Sequence, residues 1–503
     1  MLRDLGMARS VWITGSLVLL GMMLGCSRKY YHDKADKEVY GIVQQVEQDV
    51  FGRTNTFNID TPFSNRDPQS VVPLEIVEGR LEGEELQLGI EQALRTAVEN
   101  SRRYQNEKER VYLTALTLTG ERFEFSPQFF AGMVPTYTRN ASGEQSAQIN
   151  PQVGVTQMLK SGAGLGVTLV SDFLRFYTGD PRRSAISTLS VNLVQPLLRG
   201  AGKSVAAENL TQAERNLIYA IRTFAQFQRE FNVDIVLNYF RLLQQKDTVR
   251  NQYASYLSRV ASTKRFKARS GDREAAVDVG QALQAELTDK NRYVNAVANY
   301  LNSLDQFKID LGIPLGTKLH LDDRELSLLD QNGLIPIHLD PVRGYRITVE
   351  NQLEILNSID RMEDRQRQVN VAADALKADL NIFADATWQS EGPTDYTQFD
   401  LDEIRVSTGI ELDLPINRLR QRNNYRASLV TFEVSIRDLS LALDESRNRV
   451  ERGLRSLVQF EKNYDIERNA VELAEERVSS SELLLQAGRA IVRDLVDSQD
   501  QLV

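Results

Sequence analysis

Nine apolar positions, Leu429, Ile436, Leu443, Val450, Leu457, Tyr464, Val471, Val478 and Leu485, recur every seven residues without exception. At 1.5 Å of rise per residue the run amounts to about 84 Å of helix. An apolar repeat of 3.5 residues sustained that far commits a helix to supercoil on neighbours rather than to sit inside a globule. The composition agrees: 42% apolar, 26% charged and 8% aromatic residues describe helical, water-facing material more than a compact enzyme core. A net charge of -9 with no basic run excludes nucleic acid as the main partner.

The heptad belongs to the second of two related halves. Leu193-Val194-Gln195-Pro196 aligns with Leu412-Asp413-Leu414-Pro415 at an offset of 219 residues. Leu210, Leu217, Phe224 and Phe231 align with Leu429, Ile436, Leu443 and Val450 at that same offset, which marks a duplication. Farther on, Gly271 aligns with Gly488 at an offset of 217. The first repeat covers 84–312: a helical stretch carrying Leu86, Ile90, Leu94, Ala97 and Val98 on one face, a β-rich region over 125–194, then a helical hairpin with its tip near 269–273. Alternation predicts four strands there, at Phe125–Tyr137, Gln152–Leu159, Leu165–Ser171 and Ser187–Val194. A linker over 313–345 follows, marked by Pro314, Pro336 and Pro341. The second repeat, 346–503, has a helix, strands over 382–412 and a hairpin with its tip near 486–489. By alignment with Gly312 the closing helix is expected to run about 26 residues further than the sequence given, the alternatives being a fragment or a member that ends early.

At the N-terminus, Arg3 and Arg9 precede an apolar run from Val11 to Leu24, then Gly25 and Cys26, which reads as a signal peptide over 1–25. The alternative is a transmembrane anchor, but the run falls short of the roughly 20 residues that span a bilayer. Cys26 is the only cysteine, so no disulfide within the chain is possible. Met23-Leu24-Gly25-Cys26 resembles a bacterial lipoprotein box, with Met23 departing from the usual leucine; the resemblance implies lipidation of Cys26, with Ser27 directing the product to the outer membrane. Residues 26–83 hold Pro62, Pro68 and Pro73 and read as an extended, wrapping segment with one short helix near Val39–Val50.

The order of these parts, strand pair, proline-ended strand, very long helix, glycine tip and returning helix, all occurring twice, resembles the TolC-like outer-membrane efflux proteins over nearly the whole mature chain. Gln195-Pro196-Leu197-Leu198-Arg199-Gly200 and Leu412-Asp413-Leu414-Pro415-Ile416 carry the match where strands hand over to helices. The tips Arg265-Phe266-Lys267-Ala268-Arg269-Ser270-Gly271 and Leu485-Gln486-Ala487-Gly488 are similar to the family's as well. The resemblance implies a mainly α fold with a membrane β-barrel contribution: a duplicated strand pair plus long coiled-coil hairpin, assembled as a trimeric α/β-barrel duct. It implies an outer-membrane channel of a tripartite efflux or type I secretion system, lipid-anchored and extending into the periplasm. Its partners would be a periplasmic adaptor (membrane fusion) protein and an inner-membrane pump. The adaptor would meet the tips at Arg269, Ser270, Gly271, Ala487 and Gly488.

Asp494 and Asp497 stand six and nine residues after Gly488, as two aspartates do in the family's second repeat, and Asp278 follows Gly271 with one residue of slippage. Gathered around a three-fold axis, they would ring the periplasmic aperture with carboxylates. The plainer alternative is a pair of solvated acids favouring a helix N-terminus. A tyrosine and an arginine that gate some members would fall at Leu485 and Ala490, so those hydrogen bonds do not carry over. The family norm of two strands per half would give a twelve-stranded barrel. The first β region is longer, and its extra hairpin is expected to fold over the outer mouth, the alternative being to extend the barrel.

Enzyme-like signals fail on detail. Gly200-Ala201-Gly202-Lys203-Ser204 resembles the end of a phosphate loop, but the first glycine would have to stand at Leu197. His32, His320 and His338 lack companions at metal-ligand spacing. No catalytic residue, metal or cofactor is expected. The rival from another class is a lipid-anchored periplasmic adaptor or scaffold coiled coil, which would carry a compact β domain around one helical hairpin.

Overall fold

The computed structural model describes residues 27–54, 56–81, 83–178, 183–269 and 273–502. Eleven helices are labelled in chain order: α1 (Arg28–Phe51), α2 (Pro73–Leu81), α3 (Ile90–Asn100), α4 (Arg102–Glu124), α5 (Glu208–Arg269), α6 (Arg273–Leu311), α7 (Arg324–Asn332), α8 (Pro341–Asn351), α9 (Leu353–Asp374), α10 (Leu419–Gln486) and α11 (Val492–Leu502). The strands are β1 (Leu86–Leu88), β2 (Gln128–Arg139), β3 (Gln145–Met158), β4 (Gly164–Phe176), β5 (Arg183–Pro196), β6 (Leu319–Leu321), β7 (Asp379–Gln389) and β8 (Arg405–Asp413). Two compact units emerge. One takes the described parts of Met1–Asn58, Arg110–Ile221 and Asp360–Arg437; the other takes those of Ile59–Glu109, Arg222–Ile359 and Asp438–Val503.

In the first unit, β2, β3, β4, β5, β7 and β8 form one antiparallel sheet in that order. The first four are sequential neighbours, and the two halves meet where β5 pairs with β7, from Thr188 opposite Gln389 to Pro196 opposite Asn381. Pro196 has no N–H to donate, so it suits the last rung. Beyond it the chain turns through Gly200, whose N–H donates to Asp374 Oδ2 at 2.7 Å, and α5 begins at Glu208.

A buried carboxylate fastens α5 to α9 just past this turn. Asp364, its side chain 5% exposed, receives Tyr219 Oη–H at 2.6 Å and Gln212 Nε2–H at 3.0 Å, and pairs with Arg215 and Arg367. Arg367 also reaches Glu208. Burial and the bond to Asp364 push the Tyr219 phenol up to about 12, so it stays a donor at neutral pH. With every lone pair answered, burying Asp364 is tolerable.

The N-terminal segment differs from the extended arm with one short helix. Ser27 accepts from Tyr30 N–H at 3.3 Å, which starts α1 eleven residues before Val39. Val39 and Val43 are fully buried, and Asp36 receives Tyr112 Oη–H at 2.6 Å. Those contacts, invisible in a sequence whose first two turns are polar, carry the helix to 24 residues.

The second unit has its own small core. β1 and β6 pair in parallel, Leu86 opposite Leu319 and Leu88 opposite Leu321, so the proline-marked stretch 313–345 contains a strand, all of α7 and the start of α8 rather than a bare linker. Tyr239 is completely buried and donates to Leu88 O at 3.1 Å. Tyr104 packs on Phe224, Phe227 and Phe231 with centroids 5.4 to 6.1 Å away. α10 is different: of its 68 residues only Ser446 is buried, and Ile436, Leu457 and Val471 of the heptad line are 45%, 42% and 50% exposed.

Gly312 ends α6 with φ +77°, and a Cβ there would meet Asn100 O at 2.0 Å. Its own carbonyl accepts from Arg80 at 2.8 Å. Gly312→Ala therefore combines left-handed strain with a backbone clash and is expected to lower stability by at least about 2 kcal/mol, read as a lower unfolding midpoint beside the harmless control Gly280→Ala, whose Cβ position is open.

Candidate functional site

The registers assign every strand residue to one side of the large sheet, because directly opposed residues in an antiparallel pair project to the same face. One face collects Phe129, Met133 and Tyr137 of β2 with Ile149, Val153 and Val155 of β3. It continues through Leu165, Val167, Leu169 and Phe173 of β4 onto Leu189, Val191 and Leu193 of β5. Ile382, Ala384, Ala386 and Trp388 of β7 and Val406, Ile410 and Leu412 of β8 complete it. The only strand charges on this side are Arg139, Arg175 and Arg183, all next to the connections β2–β3 or β4–β5.

The other face holds most of the polar residues, with Phe130 and Val134 of β2, Val170 and Leu174 of β4, Ile186 and Val194 of β5 and Phe383 of β7 among them. It presents Gln148, Asn150 and Gln152 of β3, Thr168 and Asp172 of β4, and Thr188, Ser190 and Asn192 of β5. Asn381 and Asp385 of β7 and Arg405, Ser407, Glu411 and Asp413 of β8 follow. Gln148 Nε2 donates to Asp172 across the strands at 3.1 Å.

Such a sheet has no soluble use for its apolar side, which leaves Phe129 83%, Tyr137 62%, Val406 63% and Ile410 69% exposed. Strands of 9 to 14 residues match the roughly 9–11 needed to cross a bilayer when tilted. Apolar-out, polar-in alternation is the pattern of a membrane barrel wall. Arg175 lies over the Tyr177 ring at 5.5 Å, and Phe173 meets Tyr396 edge-on at 5.3 Å, the aromatic and arginine mixture that suits a membrane–water boundary. Among the described residues no helix is long and apolar enough to cross a membrane.

The extra hairpin is thus part of the same sheet, not a cap over its end. β3 and β4 pair from Ser146–Phe176 to Met158–Gly164 and share both faces with β5 and β7. The expected cap is corrected, for a physical reason: these strands carry a row of apolar residues on one face and most of their polar residues on the other, and a folded-over hairpin would bury one of those faces.

The helical end is built separately, in the second unit. α10 closes with Gly488 at φ +69°, its N–H on Leu485 O and that of Arg489 on Leu484 O, the left-handed turn that glycine accepts without strain. Ala487 and Gly488 thus form the turn before α11. Asp494 lies in the first turn of α11 and accepts from Ile491 N–H at 3.1 Å, while Asp497 is 3.9 Å from Arg493. Both carboxylates are exposed, on a different side of α11 from buried Val492, Leu495 and Ser498. Asp278 is half-buried on α6, and among the described residues it makes no hydrogen bond or ion pair to either. Arg269 ends α5; Ser270, Gly271 and Cys26 lie outside the described residues.

Sequence reasoning missed the polar cluster that holds α11. Arg259 of α5 and Asp289 of α6 are each 2% exposed and 3.0 Å apart. The guanidinium also donates to Gln499 Oε1 at 2.9 Å, Val496 O at 3.3 Å and Asp500 Oδ1 at 2.8 Å. Asp289 also receives Ser255 Oγ–H at 2.8 Å on Oδ2 and Arg292 at 3.4 Å on Oδ1. No short motif signals partners 30 and 241 residues apart in the chain. Among the described residues no group of three or more His, Cys, Asp or Glu is placed to hold a metal ion.

Removing one partner of a buried ion pair leaves the other uncompensated, at a cost of about 3–5 kcal/mol. Arg259→Ala is expected to release α11, seen as lost amide-exchange protection over 492–502. Arg259→Leu combined with Asp289→Leu should recover part of that protection.

No protein-family model and no curated protein matches the sequence. Solved structures do. CusC, described for its folding and transmembrane channel formation, superposes with a TM-score of 0.59 at 10% identity, over 82% of this chain and 86% of that one. The MtrE outer-membrane channel of Neisseria gonorrhoeae in its open state gives 0.59 at 11% identity, over 82% and 83%. The outer-membrane protein VceC of Vibrio cholerae gives 0.57 at 13% identity, over 82% and 89%.

Proposed function

We propose, for a chain with the fold of the TolC-like outer-membrane channels, that it is the outer-membrane channel of a tripartite efflux or type I secretion system. The duct is a homotrimer that crosses the outer membrane through its strands and extends into the periplasm through its helices. The observation that carries this reading is the six-stranded sheet with one exposed apolar face and one mostly polar face, since an adaptor or scaffold coiled coil has no use for a lipid-facing wall. Transport is passive; an inner-membrane pump supplies the energy and a periplasmic adaptor connects the two. The chain catalyses no reaction and needs no cofactor.

The helix pair tips at Arg269, Ser270, Gly271, Ala487 and Gly488 are the adaptor's contact. Asp494, Asp497 and Asp278 form the aperture, where carboxylates repeated around the axis repel one another and attract cations. Lipid on Cys26, once 1–25 are removed, tethers the 26–83 segment to the outer membrane. The repeats at 84–312 and 346–503, joined through 313–345, each supply strands to the wall and a helical pair to the cylinder.

Single-channel recording of the purified full-length protein in a planar bilayer tests the reading. Discrete conductance is expected, blocked by millimolar divalent cations from the helical side. In Asp494→Ala, Asp497→Ala the block should weaken at least about tenfold, a loss of roughly 1.4 kcal/mol of cation binding. A folded, lipidated protein that never conducts would return the scaffold reading. Radiolabelled palmitate should enter the wild type and not Cys26→Ser.

A further inference from the structure

The large sheet ends in two strands that each have a single bonded neighbour, β2 on one side and β8 on the other. We propose that β8 of one copy pairs antiparallel with β2 of the next, so that three copies close a wall of eighteen strands. The inference rests on the channel reading and adds what the closing surface is and how wide the wall becomes.

Direction comes first. Every neighbouring pair in the sheet is antiparallel, so with six strands β2 and β8 run in opposite directions. Joining β8 to the β2 of another copy therefore repeats the pairing found everywhere else. The faces agree as well. Phe129, Met133 and Tyr137 of β2 lie on the same side of the sheet as Val406, Ile410 and Leu412 of β8, so the joint continues the apolar band without a break. Phe129 at 83% and Ile410 at 69% are the most exposed large apolar side chains of the sheet.

The surroundings require a partner strand. Unpaired backbone N–H and C=O groups have no partner in hydrocarbon, so an open edge cannot face lipid. Among the described residues the chain has no spare strand to offer, because β1 and β6 are paired with each other. A second copy supplies the right length, direction and alternation.

The consequence is a wide wall. With ordinary strand spacing and tilt, eighteen strands give a backbone radius of about 18 Å, against about 12 Å for twelve. Its cross-section is roughly twice as large, in the size range that leaves a water-filled lumen.

Disulfide mapping decides the matter, Cys26 being the only native cysteine. Ser407→Cys or Glu411→Cys on the polar side of β8 is combined in turn with cysteine at each even position of β2 from Gln128 to Thr138, in the full-length protein in liposomes. Opposed cross-strand positions come within disulfide reach. Oxidation is expected to give a covalent trimer as the main species at one register, with little product when Met133→Cys, on the other face, or Thr168→Cys, on the interior strand β4, replaces the β2 partner. A conducting trimer with no β2–β8 disulfide at any register, or one linked through β4, overturns the eighteen-stranded wall and leaves the channel standing. A covalent product that stops at the dimer overturns it too. Protein that neither conducts nor forms a trimer removes both readings.

Discussion

The rest of the molecule depends on the pairing of β5 with β7. Among the described residues it is the only place where strands from the two repeats meet, and it turns four strands of one repeat and two of the other into a single surface. Because Pro196 opposes Asn381 on the last rung, both chain directions leave the sheet at the same level and pass into helices. Asp364, ten residues before the end of α9, then ties α5 to α9 through Tyr219, Arg215 and Arg367. A change of register by one residue in this pairing would turn every side chain of β7 and β8 to the opposite face and divide the apolar band in two.

Much of the architecture was legible because its signals are periodic. The heptad from Leu429 to Leu485 marks α10 nearly from end to end, and alternation locates β4, β5, β7 and β8 within a few residues. The repeat offset of 219 predicts which strands occupy equivalent places. Periodicity was mute about how the extra strands associate: β3 alternates equally well in a cap or in a wall, and only the rungs from Ser146–Phe176 to Met158–Gly164 decide it. It was mute, too, about α1, whose first turns are polar and gain their helix from the Ser27 cap and from Asp36 and Val39 meeting other segments.

The candidate site divided along the same line. Asp494 stood out through its distance from a glycine, and the structure shows that carboxylate capping the start of its own helix at Ile491. Arg259 and Asp289 had no such spacing to reveal them. Their pairing is a property of three helices brought side by side, and a charged residue buried to 2% is recognised only when the burial is known.

The heptad line of α10, 45%, 42% and 50% exposed at Ile436, Leu457 and Val471, carries a consequence for how such a chain comes to exist. On the channel reading the neighbours that complete the cover of those positions are other copies, so part of the free energy that orders α10 would come with assembly. Its stability would then depend on how many protomers share a compartment, and dilution would act on it as a denaturant.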